Sequence, residues 1–257
     1  MNEAMVRTPA ATAASSPSGQ PREPSRGRTL RVARLGVLDY AAALDRQYAL
    51  VEARLRERVP DTLLLLEHPH VYTLGRGADE RFILDRRGNV PLHRVSRGGQ
   101  VTYHGPGQLV GYPILRLEGA ARDVLRYLRN LEQVMIDALA DCGISAGRRT
   151  GLTGVWVGDA KIASIGVGLR RWVTLHGFAL NVSTDLRYFD RIVPCGIEGC
   201  RMTSIAALGR SAISVEAFAA MITRAFAAVF GYDRLEEVGA EDLSRTLQDA
   251  SAAPAAA

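Results

Sequence analysis

"GVWVGDAKIASIGVGLRRWVTLHGFALNV", Gly154 to Val182, decides how this chain folds. Three strand-like runs, GVWVG, KIASIGVGLRR and WVTLHGFALNV, follow one another across short turns. Turns that short join antiparallel neighbours, because a parallel crossover needs a dozen or more residues, usually a helix. The runs TLLLLEH and HVYTLG follow one another upstream in the same way, and LVGYPIL comes about thirty residues later. Strands that succeed one another without intervening helices predict an α+β arrangement with antiparallel or mixed sheet, not a repeated βαβ winding.

Three segments carry helical periodicity instead. DYAAALDRQYALVEARLRER puts Tyr40, Leu44, Tyr48, Val51 and Leu55 on one face. ARDVLRYLRNLEQVMIDALADCG does the same with Leu125, Leu128, Leu131, Met135 and Leu139, and Gly143 is its stop. SVEAFAAMITRAFAAVFG takes Ser214 as N-cap, turns Phe218, Met221, Ile222, Ala225, Phe226 and Val229 inward, and stops at Gly231.

The 257 residues are 47% hydrophobic, enough for a substantial core. No apolar run approaches the roughly 18–20 residues that span a bilayer. Residues 1–28 are rich in Ala, Ser, Pro and Arg without an apolar stretch, which predicts a disordered arm and not a secretory signal. Residues 236–257 are acidic and Ala-rich and predict a second disordered tail, leaving a single domain over 29–235. Three cysteines, Cys142, Cys195 and Cys200, without metal-site spacing read as reduced thiols of a cytoplasmic protein. The net charge is +5. A mildly basic core suits an acidic macromolecular partner. Basic residues interleaved with aromatics are missing, which argues against nucleic acid.

Absences narrow the chemistry. No phosphate loop, dinucleotide-binding G-x-G-x-x-G, G-x-S-x-G elbow or H-E-x-x-H occurs, so neither nucleotide nor metal chemistry has support. Three stretches remain. RGGQVTYHGPGQLVGYPI, Arg97 to Ile114, mixes five glycines with Arg97, Gln100, Thr102, Tyr103, His104 and Gln108. It reads either as a loop whose backbone approaches a ligand or as a β-turn region with a satisfied histidine.

The second stretch holds Lys161, the one lysine among 32 Lys and Arg residues. Arginine serves at every other such position. Arginine cannot give up its proton at working pH and lysine can, so Lys161 is a candidate base. If Lys161 begins a strand, alternation puts Lys161, Ala163 and Ile165 on one face. In the third stretch, IVPCGIEGCRMTSI, Cys195 lies at a turn between Pro194 and Gly196. A Cys–Lys pair would make a thioester-forming nucleophile. Cys200, after Gly199, competes for that role, and the sequence barely separates the two thiols. Cys142 lies inside a helical pattern and reads as buried and inert.

Taken in order, RGGQVTYHGPGQLVGYPI, GVWV…KIASIGV…RWVTLHGFALNV and IVPCGI…MTSI resemble the octanoyltransferases of lipoate synthesis, over about residues 35–232. The resemblance implies a biotin/lipoate protein ligase-like domain: a larger mixed sheet, a smaller sheet and flanking helices. It implies that Cys195 takes an octanoyl or lipoyl group from acyl carrier protein as a thioester, with Lys161 as its dyad partner. A lysine on lipoyl domains of 2-oxoacid dehydrogenases or of the glycine cleavage H protein would then receive the group. Arg97, Gly98, Gly99, Gln100, Val101, Thr102, Tyr103 and His104 would bind substrate. So would Ser164, Ile165 and Gly166, and Gly177, Phe178 and Ala179. His104 and His176 would shape the pocket. The resemblance implies no cofactor and no metal, and a monomer working in the cytoplasm. An ATP-dependent lipoate–protein ligase on the same fold is the rival reading; it would need no cysteine, and Cys195 in PCG speaks against it. A non-catalytic scaffold or nucleic-acid binder is the rival from another class.

Overall fold

A computed structural model describes residues 27–85 and 89–252. The elements run β1 (Thr29–Val37), α1 (Tyr40–Leu55), β2 (Asp61–Glu67), β3 (Val71–Leu74), β4 (Leu92–Arg94), β5 (Val101–His104), β6 (Gln108–Ile114), α2 (Val124–Asp141), β7 (Gly147–Arg149), β8 (Leu152–Val157), β9 (Ala160–Arg170), β10 (Val173–Asn181), β11 (Arg201–Met202), α3 (Val215–Phe230), β12 (Arg234–Val238) and α4 (Ala240–Ala252). The large sheet has the order β12-β1-β2-β6-β10-β9-β8-β7, with β11 added against β9; β4-β3-β5 form the small one. β8, β9 and β10 pair antiparallel, as their short turns require, while β1 runs parallel to both β2 and β12. The sheet is therefore mixed, and the α+β expectation holds. Among the described residues no helix is long and apolar enough to cross a membrane.

β2 shows why the sheet is a central layer. Six of its residues in succession are buried, and four of them, Leu63 to Leu66, form an unbroken apolar run characteristic of a strand covered on both faces. Leu63 and Leu65 join the core that takes in α2 and α3, while Leu64 and Leu66 join the one that takes in α1 and α4. Each such leucine contributes roughly 1.5–3 kcal/mol relative to leaving it in water.

The helices start and stop where the sequence places them. Asp39 caps α1 by accepting from Ala41 N, and Ser214 caps α3 by accepting from Ala217 N at 3.1 Å. Gly231 ends α3 in the left-handed conformation, φ 69°. Two inward faces differ from expectation. α1 buries Tyr40, Ala43, Gln47, Leu50, Val51 and Ala53, leaving Tyr48 exposed. Gln47 turns inward because its side-chain oxygen accepts from His176 N at 2.8 Å. In α2, Leu125 is exposed and Glu132 is fully buried.

The domain ends need correcting. Residues 236–252 are not a disordered tail: they complete β12 and α4. Their acids have partners, since Glu236 pairs with Arg31 and Glu237 with Arg34 across the β1–β12 contact. Leu243, Leu247 and Ala250 form the stripe that α4 lays against the core beside α1. Arg28, expected in the arm, is also anchored: its N–H donates to Asp233 and its guanidinium to the Phe230 carbonyl. Residues 1–26 and 253–257 lie outside the described residues.

Candidate active site

The chain leaves β10 at Asn181, makes an excursion of about twenty residues, and returns as β11 beside the start of β9. Met202 pairs with Lys161, Thr203 N donates to the Lys161 carbonyl at 3.0 Å, and Asn181 Nδ2 donates to the Thr203 carbonyl at 3.0 Å. The excursion is tied to the small sheet's flank by Val193 N donating to Phe82 O and Leu84 N to Arg191 O, both at 2.8 Å. Residues 34 apart in sequence therefore meet: Lys161 Nζ lies 3.1 Å from Cys195 Sγ.

Cys195 sits in a one-turn 3-10 segment, Pro194–Gly196, with φ 58° and ψ 13°. A non-glycine residue in that region is strained, a feature concentrated at functional sites. Gly196 follows at φ 69°, and a Cβ there would come within 2.9 Å of Gln100 Cγ. Only glycine lets the thiol turn pack on the Gln100 loop.

Lys161 reaches the thiol through a β-bulge. On β8 and β9, Val155 opposes Ala163 while Trp156 opposes Lys161, so Ile162 is an extra residue. Bulges re-aim side chains. Ile162, Ala163 and Ile165 stay with the core that includes α2 and α3. Lys161 turns to the other side with Ser164, whose Oγ is 3.9 Å from Cys195 Sγ. The expectation that Lys161 shares a face with Ala163 and Ile165 is thus corrected: it assumed unbroken alternation. Lys161 is 1% exposed, and its Nζ stands 5.5 Å from the Trp156 ring centroid.

Neither other thiol has this setting. Cys142 caps α2 with its sulfur against Met221, and burial pushes its pKa up. Cys200 lies beside Met202, and burial pushes its thiol up too.

Beside Cys195 opens a narrow cleft. Arg97, Gly99, Gln100, Val101, Thr102 and His104 line one wall; Ser164, Ile165, Gly166, Gly177, Phe178 and Ala179 line the other. The segment expected to be a glycine-rich loop is largely β5 and β6. Two expected binding residues face elsewhere. Tyr103 alternates away from Thr102 and His104, its hydroxyl 2.7 Å from His70 Nδ1 and its ring stacked on Tyr188. Gly98 does not line the cleft: its N–H stitches the loop to β9 by donating to Val167 O at 2.9 Å. Tyr40 and Tyr112 line the cleft with His176 and were missed in the sequence, where Tyr40 reads as a helix core residue and Tyr112 as a strand residue.

Arg97 is an internal brace. One terminal nitrogen donates to the Gly98 and Gln100 carbonyls at 3.0 and 2.9 Å, the other to Thr73 O and Oγ1, each at 2.7 Å. His104 Nδ1 donates to Gln108 Oε1 at 2.8 Å, and Gln108 Nε2 donates to Asn181 Oδ1 at 2.9 Å, linking β5, β6 and β10. Among the described residues no group of three His, Cys, Asp or Glu side chains could hold a metal ion.

Burial, the largest cause in each case, holds His68 and His176 down at about 4 and His104 at about 3. An unfolded histidine protonates near about 6.5. The folded chain therefore binds fewer protons, so the stability tied to these imidazoles is complete above about pH 6.5 and is lost as pH falls toward about 4. We expect the unfolding free energy, measured in urea, to fall below about pH 6 by about 1.4 kcal/mol per pH unit for each buried histidine. His104→Gln should flatten the slope; a flat wild-type profile down to about pH 4.5 would contradict the assignment.

The chain belongs to the lipoyl protein ligase A/B catalytic-domain family, whose model matches residues 39–227. Within it, the chain is 54% identical over 206 residues to the octanoyltransferase of Solibacter usitatus, covering 78% of this chain and 93% of that one. It is 51% identical over 197 residues to the octanoyltransferase of Gloeobacter violaceus, covering 76% and 88%. Among solved structures it superposes on lipoate-protein ligase A bound with ATP at TM-score 0.63, 21% identity, covering 88% of this chain and 96% of that one. It superposes at 0.65 and 20% identity on the bi-partite lipoate protein ligase of Thermoplasma acidophilum, covering 86% and 92%. The fold is therefore that of lipoate ligases. By kinship with the octanoyltransferases the protein is an enzyme, an acyltransferase.

Proposed function

We propose that this acyltransferase moves an octanoyl group from acyl carrier protein to a lysine of a lipoyl domain, through a thioester on Cys195. The observation that carries the reading is Lys161 Nζ, buried and 3.1 Å from Cys195 Sγ. The Lys161 amine takes the thiol proton. The thiolate attacks the donor carbonyl, the carbon–sulfur bond to the carrier breaks, and the departing thiolate takes the proton back from Lys161. In the second half the acceptor amine attacks octanoyl-Cys195. An amide forms, Cys195 leaves as thiolate, and the proton released by the amine passes to Lys161.

The cleft lining of Val101 and Ala179, with Tyr40 and Tyr112, suits an alkyl chain. At about 0.8 kcal/mol per buried CH₂, seven carbons of chain would contribute roughly 5 kcal/mol to binding. Arg97, Gly99, Gln100, Thr102, His104, Ser164, Gly166 and Gly177 complete the acyl site. Both half-reactions exchange one acyl bond for another, so no ATP is consumed. The net charge of +5 suits an acidic carrier protein. Monomeric action in the cytoplasm, where carrier and lipoyl domains are made, completes the reading.

Initial rates with octanoyl-acyl carrier protein and a lipoyl domain, both varied, test it. A covalent acyl-enzyme gives parallel double-reciprocal lines without ATP. Intersecting lines, or a requirement for ATP, would favour the ligase chemistry instead.

A further inference from the structure

We propose that Glu132 is a positioning residue for the Lys161–Cys195 pair, holding open the backbone space through which the lysine reaches the thiol. The proposal rests on the reading that these two residues carry the chemistry. Glu132 is a carboxylate in the middle of α2, fully buried, with both oxygens engaged. Oε2 accepts from Arg129 at 2.7 Å and from Arg148 at 2.8 Å. Oε1 accepts from the backbone N–H of Gly154 at 3.0 Å. The two arginine side chains are 42% and 35% exposed, so they fix the carboxylate from the solvent side while its other oxygen points inward at β8.

Gly154 is where the bulge meets the lysine. Its φ of +127° takes it out of regular strand geometry, and only the residues after it, Val155 onward, pair with β9. A Cβ on Gly154 would come within 2.5 Å of Lys161 Cε, 3.2 Å of Lys161 Nζ and 2.6 Å of the Ala163 carbonyl. The lysine stem therefore runs directly over the Gly154 backbone. An amide N–H diverted to Glu132 has to be satisfied away from the sheet, or it is left buried and unpaired. Without its acceptor, Gly154 is expected to rotate toward ordinary strand geometry and narrow the groove that seats Lys161. A burial of carboxylate this complete has no explanation in packing, since an apolar residue of the same size would fill the site at lower desolvation cost.

The test reads the lysine–thiol pair directly. Alkylation of Cys195 by iodoacetamide at pH 7, resolved from Cys142 and Cys200 by peptide mass, is measured in wild type, Glu132→Met, Glu132→Asp, Glu132→Gln and Lys161→Met. Glu132→Met fills the volume without an acceptor, and its Cys195 alkylation should slow about tenfold, with a parallel loss in kcat and an unchanged KM for octanoyl-acyl carrier protein. Glu132→Asp keeps the charge and the arginine pairs but withdraws the carboxylate from Gly154, and should lose several-fold even if the methionine variant fails to fold. Glu132→Gln keeps an oxygen for Gly154 N–H and should stay within about twofold of wild type, although it loses the same ion pairs and a comparable part of its thermal stability. A purely structural role would instead make Gln and Met alike. Wild-type alkylation in the folded Met or Asp variant, with Lys161→Met slow, overturns the positioning role and leaves the dyad standing. Wild-type alkylation in Lys161→Met overturns the dyad itself.

Discussion

Lys161→Arg is expected to lose on the order of 10³-fold in kcat/KM for octanoyl transfer, within the range of a lost general base. The substitution keeps the positive charge and removes the ability to give it up, because a guanidinium stays protonated at any working pH. Geometry adds to the loss. Lys161 is 1% exposed, threads over Gly154 and ends 3.1 Å from Cys195 Sγ. A planar guanidinium is bulkier than the ammonium it replaces. On the proposed mechanism Lys161 handles a proton in each half, so single-turnover formation of the acyl-enzyme and its transfer to a lipoyl domain should both slow. Lys161→Met should be at least as inactive. Activity in Lys161→Arg near wild type would mean that a fixed positive charge suffices beside Cys195.

Cys195→Ala should abolish transfer to background and leave the fold unchanged. The side chain is only partly buried, and its removal breaks one contact to Lys161 and a longer one to Ser164. The informative comparison is Cys200→Ala. The sequence places both thiols beside glycines, but the turn that strains Cys195 carries its sulfur to Lys161, while Cys200 Sγ packs 4.0 Å from Met202 Sδ. Cys200→Ala should therefore keep nearly full activity. Loss of transfer in Cys200→Ala with acylation intact in Cys195→Ala would reverse the assignment.

How much of this was legible beforehand varies by the range of the interaction. The run of strands from Gly154 to Val182 was, because short turns force antiparallel neighbours. Lys161 stood out by composition alone. Its direction did not, because a bulge is one extra residue in the pairing of two strands and leaves no mark on period-two alternation: Ile162 looks like any strand isoleucine. Gln47 and Glu132 were also invisible. Each is a polar residue turned inward by a backbone N–H distant in sequence, His176 for one and Gly154 for the other. The end of the domain was misread for a compositional reason. The acids of β12 and the alanines of α4 look solvated until Arg31 and Arg34 on β1, some two hundred residues earlier, are seen to pair with Glu236 and Glu237. Likewise Tyr112 joins the cleft through the pairing of β6 between β2 and β10, a sheet order that no local pattern encodes.

The thioester on Cys195 is read from the mass of the protein after mixing with octanoyl-acyl carrier protein, without ATP and without acceptor. A single octanoyl adduct is expected on the peptide containing Cys195, cleaved by neutral hydroxylamine as a thioester and discharged when a lipoyl domain is added. An adduct that maps to Cys142 or Cys200, one that forms only with ATP, or no adduct in an enzyme that still transfers octanoyl would contradict it.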